Sequence, residues 1–197
     1  KDLWPAFSFF LITFFLNVIV IYGGIKGGIE RLAKIAMPTL LVMAVVIAVR
    51  VITLGTPDPS FPDRNFLNGL GFLWNPDFSK LNDVDVWLAA SGQIFFTLSV
   101  GIGVILTYAS YLSKGDDVTL SGLSAVSTNE FAEVILGGTI IIPAAFMFLG
   151  GDAVTRVVNS LFDLGFVTMP LILAKLPFGW FFAFLWFGLL FLAGLTS

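Results

Sequence analysis

The chain has 197 residues, 57% hydrophobic and only 12% charged, with 22 Phe and a formal net charge of −3. A soluble domain carries about 25% charged residues, so too little polar surface exists here to cover a water-soluble globule. The scattered Lys and Arg form no basic run for nucleic acid. With no Cys and no His, the sequence excludes disulfides, thiolate or imidazole metal sites, and Cys- or His-based catalytic pairs.

Five stretches approach the roughly 20 apolar residues of a bilayer-spanning helix. In lipid the backbone must pair its own polar groups, which predicts helices rather than open strands. The fold class is therefore all-α, a polytopic transmembrane helix bundle, with 1–197 read as one transmembrane domain. The first segment, 4–22, opens on Trp4-Pro5 and has Asn17 as its main polar residue. The connection 23–34 holds Lys26, Arg31 and Lys34, which places it on the cytoplasmic side by the positive-inside rule. Its run Gly23-Gly24-Ile25-Lys26-Gly27-Gly28 lacks the spacing of a nucleotide-binding loop and reads as a turn. The second segment, 35–52, has Pro38 in its first turn, where proline is tolerated, and Arg50 near its end, placed to snorkel.

The connection 53–85 then lies outside, with Asp58, Asp63, Asp77, Asp83 and Asp85 and the turn signal Asn75-Pro76-Asp77. The third segment, 86–112, is uncharged and has at its centre Thr97, Ser99, Gly101 and Gly103. Such a cluster at mid-membrane either packs helices through small residues or breaks the helix, exposing backbone groups that line a site. After a short inner turn at 113–119, the fourth segment, 120–149, carries Asn129, Glu130 and Glu133. An intramembrane carboxylate costs about 2.5–3.5 kcal/mol on insertion scales and marks a functional site by default. Asn129 and Glu133 stand at i and i+4 on one face, whereas Glu130 has the plainer reading of reaching interfacial water. The connection 150–176 is outside again and reads as short helices folded against the membrane face. The fifth segment, 177–197, runs uncharged to Ala193-Gly194-Leu195-Thr196-Ser197. Its hydroxyls either bond back to their own helix or serve as hard oxygen ligands for Na⁺. The chain starts without Met and ends inside an apolar run, so it is expected to be an internal piece of a longer protein. Most of the 13 acidic residues fall in connections, where they are expected to do little beyond solvation.

Four strings together resemble the neurotransmitter:sodium symporter family, in particular its LeuT-like bacterial amino-acid members. They are residues 26–38 with Gly28 and Pro38, Gly92-Gln93-Ile94-Phe95-Phe96-Thr97-Leu98-Ser99, residues 129–138 opening on Asn129-Glu130-Phe131-Ala132-Glu133, and residues 193–197. The resemblance implies helices four to eight of a twelve-helix, inverted-repeat fold, with the third segment as a helix broken near 98–102. It implies sodium-coupled symport of a small hydrophobic amino acid by alternating access, with two Na⁺ per substrate, no organic cofactor, and no enzymatic reaction. Thr97 and Asn129 are then ligands of a first sodium ion, and Ala193, Thr196 and Ser197 of a second. Phe96, Thr97, Ser99 and Ile102 face the substrate, Phe96 also as a lid; the family's well-known amino-acid member has a phenylalanine where Ile102 stands. Gly28 and Pro38 match a gating pair that opens an inner water path, against the plainer reading of a loop glycine and a first-turn proline. Glu133 stands where chloride-dependent relatives have a neutral Ser, and Gln93 belongs to the same anion pocket. That implies chloride-independent transport, with Glu133 a candidate for protonation on the return step. The implied partners are the amino acid, the lipid bilayer and the rest of the same chain, with a homodimer allowed and a bacterial inner membrane as the location. The rival readings are an ion channel lined by Glu133 and a non-transporting membrane receptor or scaffold of the same fold.

Overall fold

The computed structural model describes residues 4–101, 103–157 and 162–196. Among them the protein is helical without strands. Four helical runs are long and apolar enough to cross a membrane: Trp4–Tyr22, Ile25–Ile52, Val118–Leu149 and Gly179–Thr196. The chain divides into two compact units, one formed by residues up to 54 together with those from 162 onward, the other by 55–157.

In the first unit, α1 (Trp4–Tyr22) buries no residue. Its polar side chains are satisfied within the helix: Ser8, Thr13 and Asn17 donate to the carbonyls of Trp4, Phe9 and Thr13 at 2.9, 3.0 and 2.9 Å. That is the arrangement a helix in hydrocarbon needs. A π-helical turn, Ile25–Ile29, runs directly into α2 (Glu30–Ile52). The helix thus starts well before the apolar stretch at 35, helped by a Glu30–Lys34 ion pair of 2.6 Å at i and i+4. Pro38 is consequently interior to α2 and not in its first turn, and its missing N–H leaves the Lys34 carbonyl without its usual helical donor. Gly28 is not a free loop residue either. A β-carbon there would collide with the Val20 carbonyl of α1.

The first unit closes with a second π-helical stretch, Asp163–Thr168, then α9 (Met169–Ala174) and α10 (Gly179–Thr196). The elements between α2 and this stretch, α3 to α8, belong to the second unit. α10 packs along α2, with Gly188 admitting the Met43 side chain so closely that a β-carbon would lie 2.6 Å from its methyl. The Trp186 indole N–H donates to the Gly165 carbonyl at 3.0 Å, and the ring is 3% exposed.

The second unit contains α3 (Phe66–Trp74), a 3₁₀ turn (Phe78–Asn82), α4 (Val84–Thr97), α5 (Val104–Ala109), α6 (Val118–Glu130), a π-helical stretch (Phe131–Gly137), α7 (Gly138–Leu149) and α8 (Gly151–Val157). Its core is the α3–α7 contact. Gly69 is buried against Pro143, where an added β-carbon would fall 2.8 Å from the Pro143 Cα. Ile140, Pro143, Ala144, Ala145 and Met147 are buried on α7, whereas α6 buries nothing. α7 ends at Gly150, whose φ of 82° makes the elbow into α8. The Arg64 guanidinium fills the space a side chain at 150 would need, 2.9 Å from an added β-carbon, and lies 4.1 Å from the Phe61 ring centre.

The acidic residues of the connections do more than solvate. Asp83 and Asp117 cap α4 and α6 by accepting from the N–H groups of Asp85 and Leu120 at 3.1 and 2.8 Å. Asp58 accepts from the Ser60 N–H at 2.9 Å and Asp116 from the Ser113 N–H at 2.8 Å. Asp77 accepts from both the Ser79 hydroxyl at 2.5 Å and its N–H at 3.1 Å. These bonds, the hydroxyl's first, hold the Asp77 carboxyl below the usual carboxylate range.

Candidate functional site

The third apolar segment is a broken helix. α4 stops at Thr97 and α5 starts at Val104. The stop has the hydrogen bonds of a left-handed cap: Ser99 N–H donates to the Phe96 carbonyl at 3.1 Å and Val100 N–H to the Phe95 carbonyl at 2.9 Å. Ser99 itself takes the left-handed conformation at φ 53°, and Gly101 and Gly103 follow at φ 89° and 84°. The glycines adopt this without steric cost; the serine does not.

The last turn of α4 carries Gln93 and Thr97 four residues apart, so both project from one face. Opposite them, Asn129 ends α6 and Glu133 sits in the π-helical stretch. The four side chains join. Gln93 Nε2 donates to Glu133 Oε1 at 2.5 Å. The Thr97 hydroxyl donates to Glu133 Oε2. Asn129 Nδ2 donates to Thr97 Oγ1 at 2.8 Å. Both carboxylate oxygens are therefore engaged, and the single Thr97 proton is committed to Glu133, which turns the lone pairs of Oγ1 away from the carboxylate. One of them accepts from Asn129, and Thr97 also lines the neighbouring cavity. Hydroxyl, amide and carboxylate oxygens are the donor set a hard monovalent or divalent cation accepts, so these residues fit a sodium ion.

A cavity of about 620 Å³ opens off this network between the broken helix and α6. Thr97 and Asn129 head it, and Ser99, Tyr108, Ser121 and Gly122 line it further along. Phe96 is 76% exposed and does not line this cavity. Ile102 lies outside the described residues, as does Ser197.

Of the proposed second sodium group, Ala193 and Thr196 share the last turn of α10. The Thr196 hydroxyl donates to the Leu192 carbonyl at 2.9 Å, with the Ala193 carbonyl at 3.2 Å, and lies 3.8 Å from Met37 Sδ on α2. This is the back-bonded geometry common to hydroxyls in membrane helices. Gly28 and Pro38 occupy one continuous helical run, Ile25–Ile52. The sequence reading missed the π-helical stretches and the left-handed Ser99. Neither leaves a compositional mark, although the adjoining Gly137-Gly138 pair points to an irregular helix.

The family model described as "Sodium:neurotransmitter symporter family" matches residues 6–197. A protein of Methanocaldococcus jannaschii described as an uncharacterized sodium-dependent transporter is 33% identical over 91% of this chain and 35% of its own length. A sodium-dependent transporter of Bacillus subtilis, also uncharacterized, is 35% identical over 95% of this chain and 38% of its own length. The sodium- and chloride-dependent neutral and basic amino acid transporter B(0+) of Mus musculus is 29% identical over 91% of this chain and 28% of its own length. The chain spans about a third of the length of these relatives.

Proposed function

We propose, since this chain belongs to the Sodium:neurotransmitter symporter family, that it is part of a sodium-coupled symporter working by alternating access. The family is one of transporters and not of enzymes. The observation that carries the proposal is the four-residue network joining a broken helix to its neighbour, with Thr97 shared between Asn129 and Glu133. In this reading a sodium ion binds at Thr97 and Asn129, and a small hydrophobic amino acid binds at the helix break beside Ser99, Phe96 and Ile102. The substrate carboxylate completes the ion's shell, which couples the two. A second ion takes Ala193, Thr196 and Ser197 after the Thr196 hydroxyl rotates off its own helix. Gly28 in the π turn and Pro38 in α2 weaken the inner end of this helical run, where water must enter for release. The remaining ligands come from other parts of the whole protein, which sits in a cell membrane, a bacterial inner membrane in this reading.

Glu133 makes the transport chloride-independent. A fixed carboxylate supplies the negative charge that a bound chloride would otherwise bring; unit charges about 4 Å apart at an effective dielectric of about 20 attract by about 4 kcal/mol. Gln93 and Thr97 hold that carboxylate in place through both oxygens.

The test is sodium-driven uptake by the full-length protein in proteoliposomes across an amino-acid panel. Thr97→Val keeps the side-chain shape and removes the hydroxyl, so sodium affinity should fall at least tenfold; unchanged sodium dependence would sink the ion site. Glu133→Ser should make uptake require chloride, while the parent protein should transport equally in chloride and in gluconate.

A further inference from the structure

The π-helical stretch Phe131–Gly137 separates two halves of one long helical run that are anchored very differently. On its C-terminal side, α7 is pinned to α3 by the Gly69–Pro143 backbone contact and by the burial of Ile140, Ala144, Ala145 and Met147. On its N-terminal side, α6 buries no residue against the described part of this chain, which spans about a third of its relatives' length, and borders the 620 Å³ cavity through Ser121, Gly122 and Asn129. Among the described residues, the side-chain hydrogen bonds between α4 and this run are those of Asn129 at the end of α6 and Glu133 inside the π stretch.

A π turn closes its hydrogen bonds from i to i+5 and so accommodates one residue more than the α-helix would. Returning it to α geometry shifts the helix by one residue, which is a rotation of about 100°. With α7 held on α3, the part that turns is α6. That rotation carries Asn129 away from Thr97 and draws Glu133 part of the way with it. The Gly137-Gly138 pair lies at the boundary where this change has to be absorbed.

We infer that the π stretch Phe131–Gly137 is a register switch that sets whether α6 presents Asn129 to Thr97, closing in its π form the ion site and opening it in its α form. The switch rests on the reading of Thr97 and Asn129 as sodium ligands. π geometry is rare and less favourable than α, so bonds made at Asn129 and Glu133 are needed to keep it, and an ion bridging Thr97 and Asn129 adds to them. Sodium therefore favours the π form, and its loss releases α6.

The experiment uses the full-length protein with spin labels in two pairs. Leu67→Cys with Leu123→Cys reports α6 against α3, and Leu67→Cys with Thr139→Cys reports α7 against α3. A label about 5 Å from the helix axis moves about 8 Å on a 100° turn. Adding sodium should shift the 67/123 distance by that order and leave the 67/139 distance unchanged. Deleting Val134 removes the extra residue; the 67/123 distance should then ignore sodium. A 67/123 distance that ignores sodium in the unshortened chain overturns the switch, as does a sodium response that survives the deletion. The Thr97→Val variant separates the two ideas. If it keeps full sodium dependence of uptake, the ion-site reading fails and the switch fails with it. If it loses that dependence while the 67/123 pair ignores sodium in the chain that keeps Thr97, the ion-site reading stands and the switch alone fails.

Discussion

Ser99 holds a left-handed conformation at the end of α4 although two glycines follow it. A non-glycine residue there costs about 1–2 kcal/mol, so Ser99→Gly should raise the stability of the purified protein by about 1 kcal/mol, read as a higher Tm. The same substitution removes a hydroxyl beside the helix break, and KM for the proposed amino-acid substrate should rise. A gain in Tm without a change in KM would confine Ser99 to a structural role. Asp77 offers a test by pH. Its carboxyl is held below its ordinary value of 3.8 by Ser79, so the clasp is complete above that value and is lost as pH falls through the lower folded one. Amide exchange at Ser79 should accelerate over that acid range, and Ser79→Ala should remove most of the effect.

At the scale of elements, the break in the third segment was one of two readings the sequence left open, and the grouping of Gln93 and Thr97 with Asn129 and Glu133 rested on the family resemblance; hydrocarbon chemistry alone marked the cluster of small and polar residues and the carboxylate. Mid-membrane glycines and a carboxylate demand partners. The start of α2 was not legible: charged residues at 26–34 look like a loop, yet Glu30 and Lys34 pair across one turn and extend the helix. The caps by Asp83 and Asp117 were likewise hidden, since the same residues would serve as well in a solvated loop. Nor does sequence distance disclose that Gly69 meets Pro143. Gly69→Ala should push α3 off α7 and destabilise the protein by about 2 kcal/mol, measurable in a detergent melt. Because α7 then loses its anchor, the same variant should also blunt the sodium response.

At the scale of the molecule, the exposed apolar surface is the rule and not the exception; Trp4, Phe9, Phe15, Ile19 and Tyr22 on α1 are all more than half exposed. That surface is stable only in hydrocarbon or against other helices. Phe14→Lys at the middle of α1 should lower its insertion by about 3 kcal/mol, read in a glycosylation-mapped membrane insertion assay. Four helices and little polar cover made membrane residence readable from composition alone. The side-chain preference of the proposed substrate was not readable, because selectivity depends on volumes around the break that a single residue type such as Ile102 does not define.

The elbow at Gly150 imposes a rule of inheritance. Gly150 combines φ 82° with ψ 162°, a conformation essentially open to glycine alone, whereas the Arg64 guanidinium over its missing β-carbon is the end of a flexible side chain and can move aside. The backbone, and not the arginine, therefore fixes the residue type at 150. Aligned relatives should keep glycine there while position 64 varies.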